Sequence, residues 1–427
     1  MLVPIIFILW LGYSFKFITH LTHEMQENFF GRVIMTKQNT SISCNCNVTQ
    51  ISCPALTPEY SLASTSSLDP NTLLYLSNTN TRLPLASLQD HKLSPLTRWT
   101  QYYIYNHQHP PTCNKDRLLI SDGYMSGFGS EMHVIGTHLA YAIQNNLVLV
   151  LSPKSCVNFP TPSNCTQGCL CMLRPITNCG QEMDIFEDLS IPHIQNPDYS
   201  VNQFPDVIVK KLKEEIPSMT QNQIKYWWRG QSVAYLMRFN DQTMDAIYNL
   251  RSKQDLHYIT GGGPVSFPLP PGTISAHIRG GDKFSEMTLV PAREYIQAIQ
   301  KMINSMPNSF SRVVFVSGDD QVSIDEARQL IEEANMTCIY TRMPRLAGGH
   351  SLSIWKPSPA HDTSENSFYA HLMQLFMALE ADAWVGTRGS NWNRLIDELR
   401  CIFVDKCQGM FVEVGKQGPE QESTYFW

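Results

Sequence analysis

Charge is scarce in this 427-residue chain: only 16% of its residues are Asp, Glu, Lys or Arg, and they sum to a formal net charge of -6. No long basic run occurs. That argues against DNA or RNA as a partner, because neutralising a phosphate backbone takes many clustered Lys and Arg. The GxxxxGK[ST] spacing of a P-loop is missing, as is any repeat of short period. Paired CxxC units are missing too, although the chain has 12 cysteines. The dense set Cys156, Cys165, Cys169, Cys171 and Cys179 fits no clean zinc pattern. In an oxidising compartment that set reads as a disulfide-stapled loop whose pairing the spacing leaves open.

What is present at the amino end is an apolar run, "MLVPIIFILWLGYSFKFI", interrupted only by Ser14 and Lys16. It has no basic n-region and no small-residue cleavage site, and its length is near the shortest that crosses a bilayer. Residues 1–19 are therefore expected to be an uncleaved signal-anchor, with a cleaved signal peptide as the alternative. Sequons at Asn39, Asn47, Asn164 and Asn335 agree with a secretory route. The expected setting is a Golgi membrane, single-pass type II, with the bulk of the chain lumenal. Residues 20–97 are rich in Ser, Thr, Asn, Leu and Pro with little periodicity, which suits an extended stem. Cys44, Cys46 and Cys53 lie inside it.

Ordered structure is expected from about residue 98. "RLLISDGYMSGFGSEMHVIGTHLAYAIQNNLVLVLSP" reads as strand, glycine-rich loop, helix and apolar strand. The Cys-rich excursion and a helical stretch then lead to "GGGPVSFPLPPG", whose glycines and prolines mark Gly261 to Gly272 as an interdomain linker. Strands and helices alternate again beyond it. The expected fold is α/β with two Rossmann-like lobes, residues 98–272 and 273–427, enclosing a central cleft.

Ligands of parallel α/β sheets bind outside the carboxyl ends of the strands, and the polar clusters fall there. In "HIRGGDK", His277 and Arg279 end a strand, Gly280 and Gly281 allow converging backbone N–H groups, and Asp282 and Lys283 follow. An arginine fork beside glycines suits a diphosphate; the plainer reading is a tight turn with a surface ion pair. In "VVFVSGDD", Asp319 and Asp320 could hold Mg2+ or Mn2+. Alternatively one caps the next helix while the other accepts from a ribose or base. Ser390 and Asn391 stand near a helix start, where a phosphate or a simple cap fits equally. His133, His138, His361 and His371 show no ligand spacing.

Taken in order, these motifs resemble the α1,6-fucosyltransferase family, which transfers fucose from GDP-fucose to the core of N-glycans. "HIRGGDK" resembles that family's H-[VI]-R-R-x-D-K signature, and "VVFVSGDDQVSIDEA" its Asp-Asp segment. "ADAWVGTRGSNWNR", "GFGSEMH" and "KYWWRGQSVAYLMR" are similar to three further motifs, so the likeness spans roughly Leu118 to Arg400. It implies a GT-B-like fold and inversion at the sugar without a metal or other cofactor. It also implies that Arg279 holds the β-phosphate, with His277, Asp282 and Lys283 around it. Asp319 or Asp320 would meet the guanosine end, Ser390 and Asn391 would lie by the phosphates, and Phe128 would take a donor-side Tyr position. Three positions depart from the pattern: the second Arg is Gly280, the catalytic Glu falls at Met287 beside Glu286, and an Asp is Gln374. The core is expected to stand without the family's heptad region and SH3-like domain.

The expected activity is fucose transfer from GDP-fucose to a glycan or glycoprotein, α1,6 to the core GlcNAc of N-glycans, with Glu286 or else Asp282 as general base. Protein O-fucosylation and catalytically silent GDP-sugar or glycan binding are the alternatives.

Overall fold

A computed structural model describes residues 94–415 apart from 125, 157–164, 181–182, 196–203, 282, 284–286, 344, 346–364 and 405. The expected anchor and stem therefore lie outside the described residues. None of the described helices is long and apolar enough to cross a membrane.

The first half carries helix α1 (Pro95–Gln108), strand β1 (Leu118–Ser121), helix α2 (Phe128–Gln144), and strands β2 (Val148–Leu151) and β3 (His193–Ile194). Helices α3 (Asp206–Glu215), α4 (Gln221–Leu236) and α5 (Asp241–Ser252) follow. The three strands form a small parallel sheet in the order β2-β1-β3. Its side chains split by the two-residue period of a strand. Leu119, Leu149 and Leu151 face one core, while Leu118, Ile120, Val148 and Val150 face another.

The second half alternates β4 (His257–Ile259), β5 (Ile274–Ile278), α6 (Ala292–Ser305), β6 (Val313–Gly318), α7 (Gln321–Glu333) and β7 (Thr337–Thr341). It continues with α8 (Glu365–Glu380), β8 (Ala383–Gly386), α9 (Asn391–Ile402) and β9 (Met410–Glu413). These strands make a six-stranded sheet in the order β4-β7-β6-β5-β8-β9, parallel except for β4 on β7. Strand β4 precedes the Gly261 to Gly272 segment yet pairs with β7, so the sheet begins before that segment. On one face Ile274, Ala276, Val314, Val316 and Cys338 pack with Tyr295 and Ile299 of α6 and Ile324 of α7. On the other, Phe315, Ile339 and Trp384 share a core with Leu372 and Phe376 of α8. Helices on both faces explain why these strands read as continuous apolar runs.

That last core also takes in Met132 and Ile135 of α2, Trp228 and Val233 of α4, and Leu395 and Leu399 of α9. Helices from both halves of the chain thus share one apolar interior.

The Cys-rich excursion is stapled as expected, and the pairs are now explicit: Cys156–Cys169, Cys165–Cys171 and Cys113–Cys179. Cys179 leaves the local cluster to bond a cysteine 66 positions away. A fourth bond, Cys401–Cys407, closes the turn after α9. Glu131, Cys156 and Cys169 come close enough to suggest a metal cluster, but the two sulfurs are bonded to each other and are not ligands.

Candidate functional site

The order of the second sheet sets the location of the site. From β5 the chain moves outward through β6 to β7, then returns by α8 to place β8 on the opposite side of β5. The switch point is therefore between β5 and β8, and ligands of such sheets bind in the crevice outside the strand ends there. Arg279 follows β5 directly, and Thr387 to Ser390 connect β8 to α9.

Arg279 is held in place by Asp319, which follows β6: its Nη1 forms an ion pair with the Asp319 carboxylate. The other Asp319 oxygen accepts the backbone N–H of Gly280 at 3.0 Å. Neighbouring parallel strands thus present the cation and its anchor side by side. The two glycines have distinct reasons to be glycine. A Cβ on Gly280 would lie 2.9 Å from Asp320 Cβ and 3.2 Å from Ser323 Oγ. Gly281 has φ +55°, and its Cβ would lie 2.8 Å from Asp319 Oδ2. The family's second arginine therefore has no room at position 280 unless the start of α7 moves.

Asp320 is committed to helix α7. Its Oδ2 accepts from Ser323 N at 2.9 Å and from Ser323 Oγ at 2.8 Å, an N-cap that satisfies an otherwise orphan donor. Of the sequence alternatives for the acid pair, one is a cap, as anticipated, and the other clamps arginine.

His277 is buried, with Nδ1 3.0 Å from Ser317 Oγ. Burial, helped by the nearby cations Arg279, His371 and Arg345, pulls its pKa down to about 3. The ring is neutral at physiological pH. Its backbone carbonyl accepts from Asn393 Nδ2 at 3.2 Å, tying β5 to α9. Lys283 is buried in the turn after β5, where its N–H donates to Gly280 O at 3.2 Å. Asp282 and Glu286 lie outside the described residues.

Ser390 occupies the N-cap of α9, is buried, and makes no capping bond with its side chain. Asn391 is engaged across the fold: its Nδ2 donates to Ser130 Oγ, and its Oδ1 accepts from Arg394 Nη1 at 2.8 Å. His133 Nδ1 lies 3.0 Å from the same oxygen, and His133 Nε2 lies 2.9 Å from Glu398 Oε2. The start of α2 is thus joined to the start of α9. They approach closely because Gly129 lacks a side chain; a Cβ there would be 3.0 Å from the Asn391 carbonyl carbon. Phe128 is buried at the same junction, edge-on to Phe368 at 5.3 Å and 6.4 Å from Trp392. Trp392 in turn stands 6.2 Å from His277.

Sequence reasoning set His133 aside and overlooked Trp392, Asn393 and Arg345. His133 is the sixth residue of α2, with no ligand spacing to mark it. Trp392 and Asn393 stack on or bond residues far away in sequence, and Arg345 gathers acceptors from three separate segments, which no local pattern encodes.

A doubly wound sheet with a clamped arginine, a glycine turn and a helix start at its switch point defines a nucleotide-binding class of α/β protein. The sequence profile of the family described as alpha-(1,6)-fucosyltransferase N- and catalytic domains matches residues 71–338. The chain belongs to that family, and it is a GDP-fucose-dependent glycosyltransferase. A sequence search of curated proteins finds no match. Among solved structures, POFUT1 in complex with GDP aligns at 11% identity over 71% of this chain and 100% of that chain, with TM-score 0.34. An arginine-to-lysine mutant of Arabidopsis thaliana FUT1 in complex with GDP aligns at 11% identity over 82% and 88%, with TM-score 0.44.

Proposed function

We propose that the protein inverts GDP-β-L-fucose to an α-fucoside on a glycan acceptor, α1,6 to the core GlcNAc of N-glycans, within a two-lobed GT-B-like architecture. The observation that carries the reading is the Arg279–Asp319 pair at the switch point, where α9 starts at Ser390 after the neighbouring strand β8. As the acceptor hydroxyl attacks the fucose anomeric carbon, the bond to the β-phosphate oxygen breaks on the opposite face. Negative charge then grows on GDP. Arg279, pre-oriented by Asp319, meets that charge with Lys283 and the positive end of α9, a fixed arrangement that needs no reorganisation at the moment of reaction. His277 is neutral and serves to shape the pocket.

A carboxylate takes the acceptor proton, and Glu286 is assigned that role ahead of Asp282. Glu286→Gln should retain GDP binding and lose roughly 100- to 10,000-fold in transfer rate. A metal has no part in this reading. Asp319 is engaged by a guanidinium and Asp320 by a helix, so neither is disposed to hold Mg2+, and the cations supply the counter-charge. Activity in excess EDTA should equal the untreated activity. The setting is a Golgi membrane with the catalytic part lumenal, which the four disulfides support. The decisive experiment incubates the lumenal portion with GDP-fucose and a panel of N-glycans, and reads product mass and linkage. No product with any N-glycan, alongside transfer to Ser or Thr of a folded domain, would replace this acceptor with the protein one.

A further inference from the structure

Arg345 has no part in the chemistry above. It follows β7, and neutral oxygens surround its guanidinium. Nε donates to Gly318 O at 3.0 Å, Nη1 to Thr341 O at 2.9 Å, and Nη2 to Thr341 Oγ1 at 3.1 Å and Gln374 Oε1 at 3.2 Å. The second Nη1 hydrogen has only long contacts, to Gln321 Oε1 and Met343 O, each at 3.4 Å. Among the described residues Arg345 forms no ion pair. Burial lowers its pKa to about 10, which still leaves it cationic at neutral pH. The residue is nonetheless partly exposed.

Its neighbours narrow what such a ligand must offer. Asp320 is committed to its helix, and Asp319 to Arg279. His277 bonds Ser317, while Gln374 accepts from Arg345 with its oxygen and points its amide nitrogen at Met343 Sδ. Among the described residues, Asp319 and Asp320 are therefore both occupied here, and the weakly used group is a donor. The position is also specific. Arg345 bonds the carboxyl ends of both β6 and β7, beside the β5/β8 switch point, so a mononucleotide with its phosphates there would reach it by extending its nucleoside to that side of the edge.

The geometry points to Arg345 as a specificity-determining residue that reads the purine base of the donor, donating from Nη1 to guanine O6 and so selecting guanine over adenine. The inference rests on GDP-fucose being the donor. Guanine presents acceptors at O6 and N7, whereas adenine puts an N6 amino donor in place of O6. A guanidinium has no acceptor to offer that amino group. Two donors facing each other in a partly buried pocket leave both unpaired, and sites built on such polar contacts discriminate strongly.

Calorimetric titration of the full chain with GDP, ADP and inorganic pyrophosphate tests this. The wild type should bind GDP at least about tenfold more tightly than ADP. Arg345→Met should weaken GDP binding by about 10- to 100-fold, the range of one good base contact, and leave ADP and pyrophosphate within about threefold. Arg345→Lys should recover little, since a point charge does not reproduce the fork. A folded Arg345→Met protein that keeps the wild-type GDP/ADP ratio overturns the inference. Should that variant fail to fold, Gln374→Met removes one acceptor that orients the guanidinium and must also lower the ratio; an unchanged ratio overturns it equally. Wild-type binding of GDP and ADP with equal affinity removes the base reading alone. A wild type that binds neither nucleotide removes the donor reading itself.

Discussion

The two sheets solve the same problem by different means. The small sheet has strands of four, four and two residues, and three disulfides surround it. The larger sheet has six strands and helices on both faces, and the one cysteine within its strands, Cys338, is buried and unbonded. A sheet of three short strands buries too little apolar surface to hold its connections alone, and covalent links make up the difference. A doubly covered sheet supplies its own rigidity. The proposed donor chemistry stands on the second kind, where a 1 Å shift of an arginine would matter most.

The largest expected effect comes from the larger sheet. Arg279→Ala should lower transfer by on the order of 100-fold or more, the scale for losing one donor aimed at developing charge. Secretion and melting temperature should stay near wild type, because the side chain is partly exposed and its partner Asp319 can turn to water. Near-normal turnover in this variant would dissolve the distinction between a catalytic sheet and a structural one.

The next effect belongs to the small sheet. Cys113–Cys179 closes a loop of 66 residues, and removing it with Cys113→Ala and Cys179→Ala should cost about 2–5 kcal/mol. Hydrogen exchange should show the loss concentrated in β1, β2 and β3, with β5 and β6 still protected. Uniform loss across both sheets would mean that the shared apolar interior makes them one cooperative unit. Residues of α2, α4, α8 and α9 in a common core give that outcome a physical route.

A smaller effect is expected with acid. His277 and His133 are buried, with pKa values drawn down to about 3 and about 4 from an ordinary 6.5. For His133, Arg229 lies 3.6 Å from Glu398 Oε1 and supplies the carboxylate's counter-charge, so the imidazole need not be protonated. Above pH 6.5 the rings are neutral in both folded and unfolded chains. As pH falls below 6.5 the unfolded chain takes up protons that the folded one resists, so stability declines toward pH 4. Each histidine contributes at most about 1.4 kcal/mol per pH unit in that window. His133→Gln should flatten the slope of melting temperature against pH between 6.5 and 4. An unchanged slope would assign the acid limb to other groups.

What was legible in the sequence follows the range of the interactions concerned. The alternation from β5 to α9 stood out because period-two and period-3.6 patterns are local, and the turn glycines and the Asp320 cap were equally local. β4 was hidden: three residues before a glycine run carry no periodicity, and its pairing with β7 joins Ile259 to Ile339, 80 positions later in the chain. The Cys113–Cys179 bond was hidden for the same reason. So was the start of α9, where Asn391 reads as a phosphate contact or a cap. Its partners Ser130 and His133 stand some 260 positions earlier in the chain.

The smallest predicted difference separates two adjacent acids. Asp320 caps α7, and Asn caps nearly as well as Asp, so Asp320→Asn should change stability by no more than a few tenths of a kcal/mol. Asp320→Ala should cost about 1 kcal/mol by leaving the Ser323 N–H without its acceptor. Neither variant touches the arginine clamp, so donor affinity should remain within a few-fold. Asp319 should behave in the opposite way. Its pair with Arg279 is partly exposed, and such pairs contribute little to folding, so Asp319→Asn should barely alter the melting temperature. It should instead loosen the guanidinium that Asp319 holds, and the rate should fall while the fold remains. Measuring melting temperature and kcat/KM for both substitutions therefore gives two crossed results from neighbouring residues. Equal losses of activity in Asp319→Asn and Asp320→Asn would show that the turn after β6 acts as one rigid piece, with no division of labour between its acids.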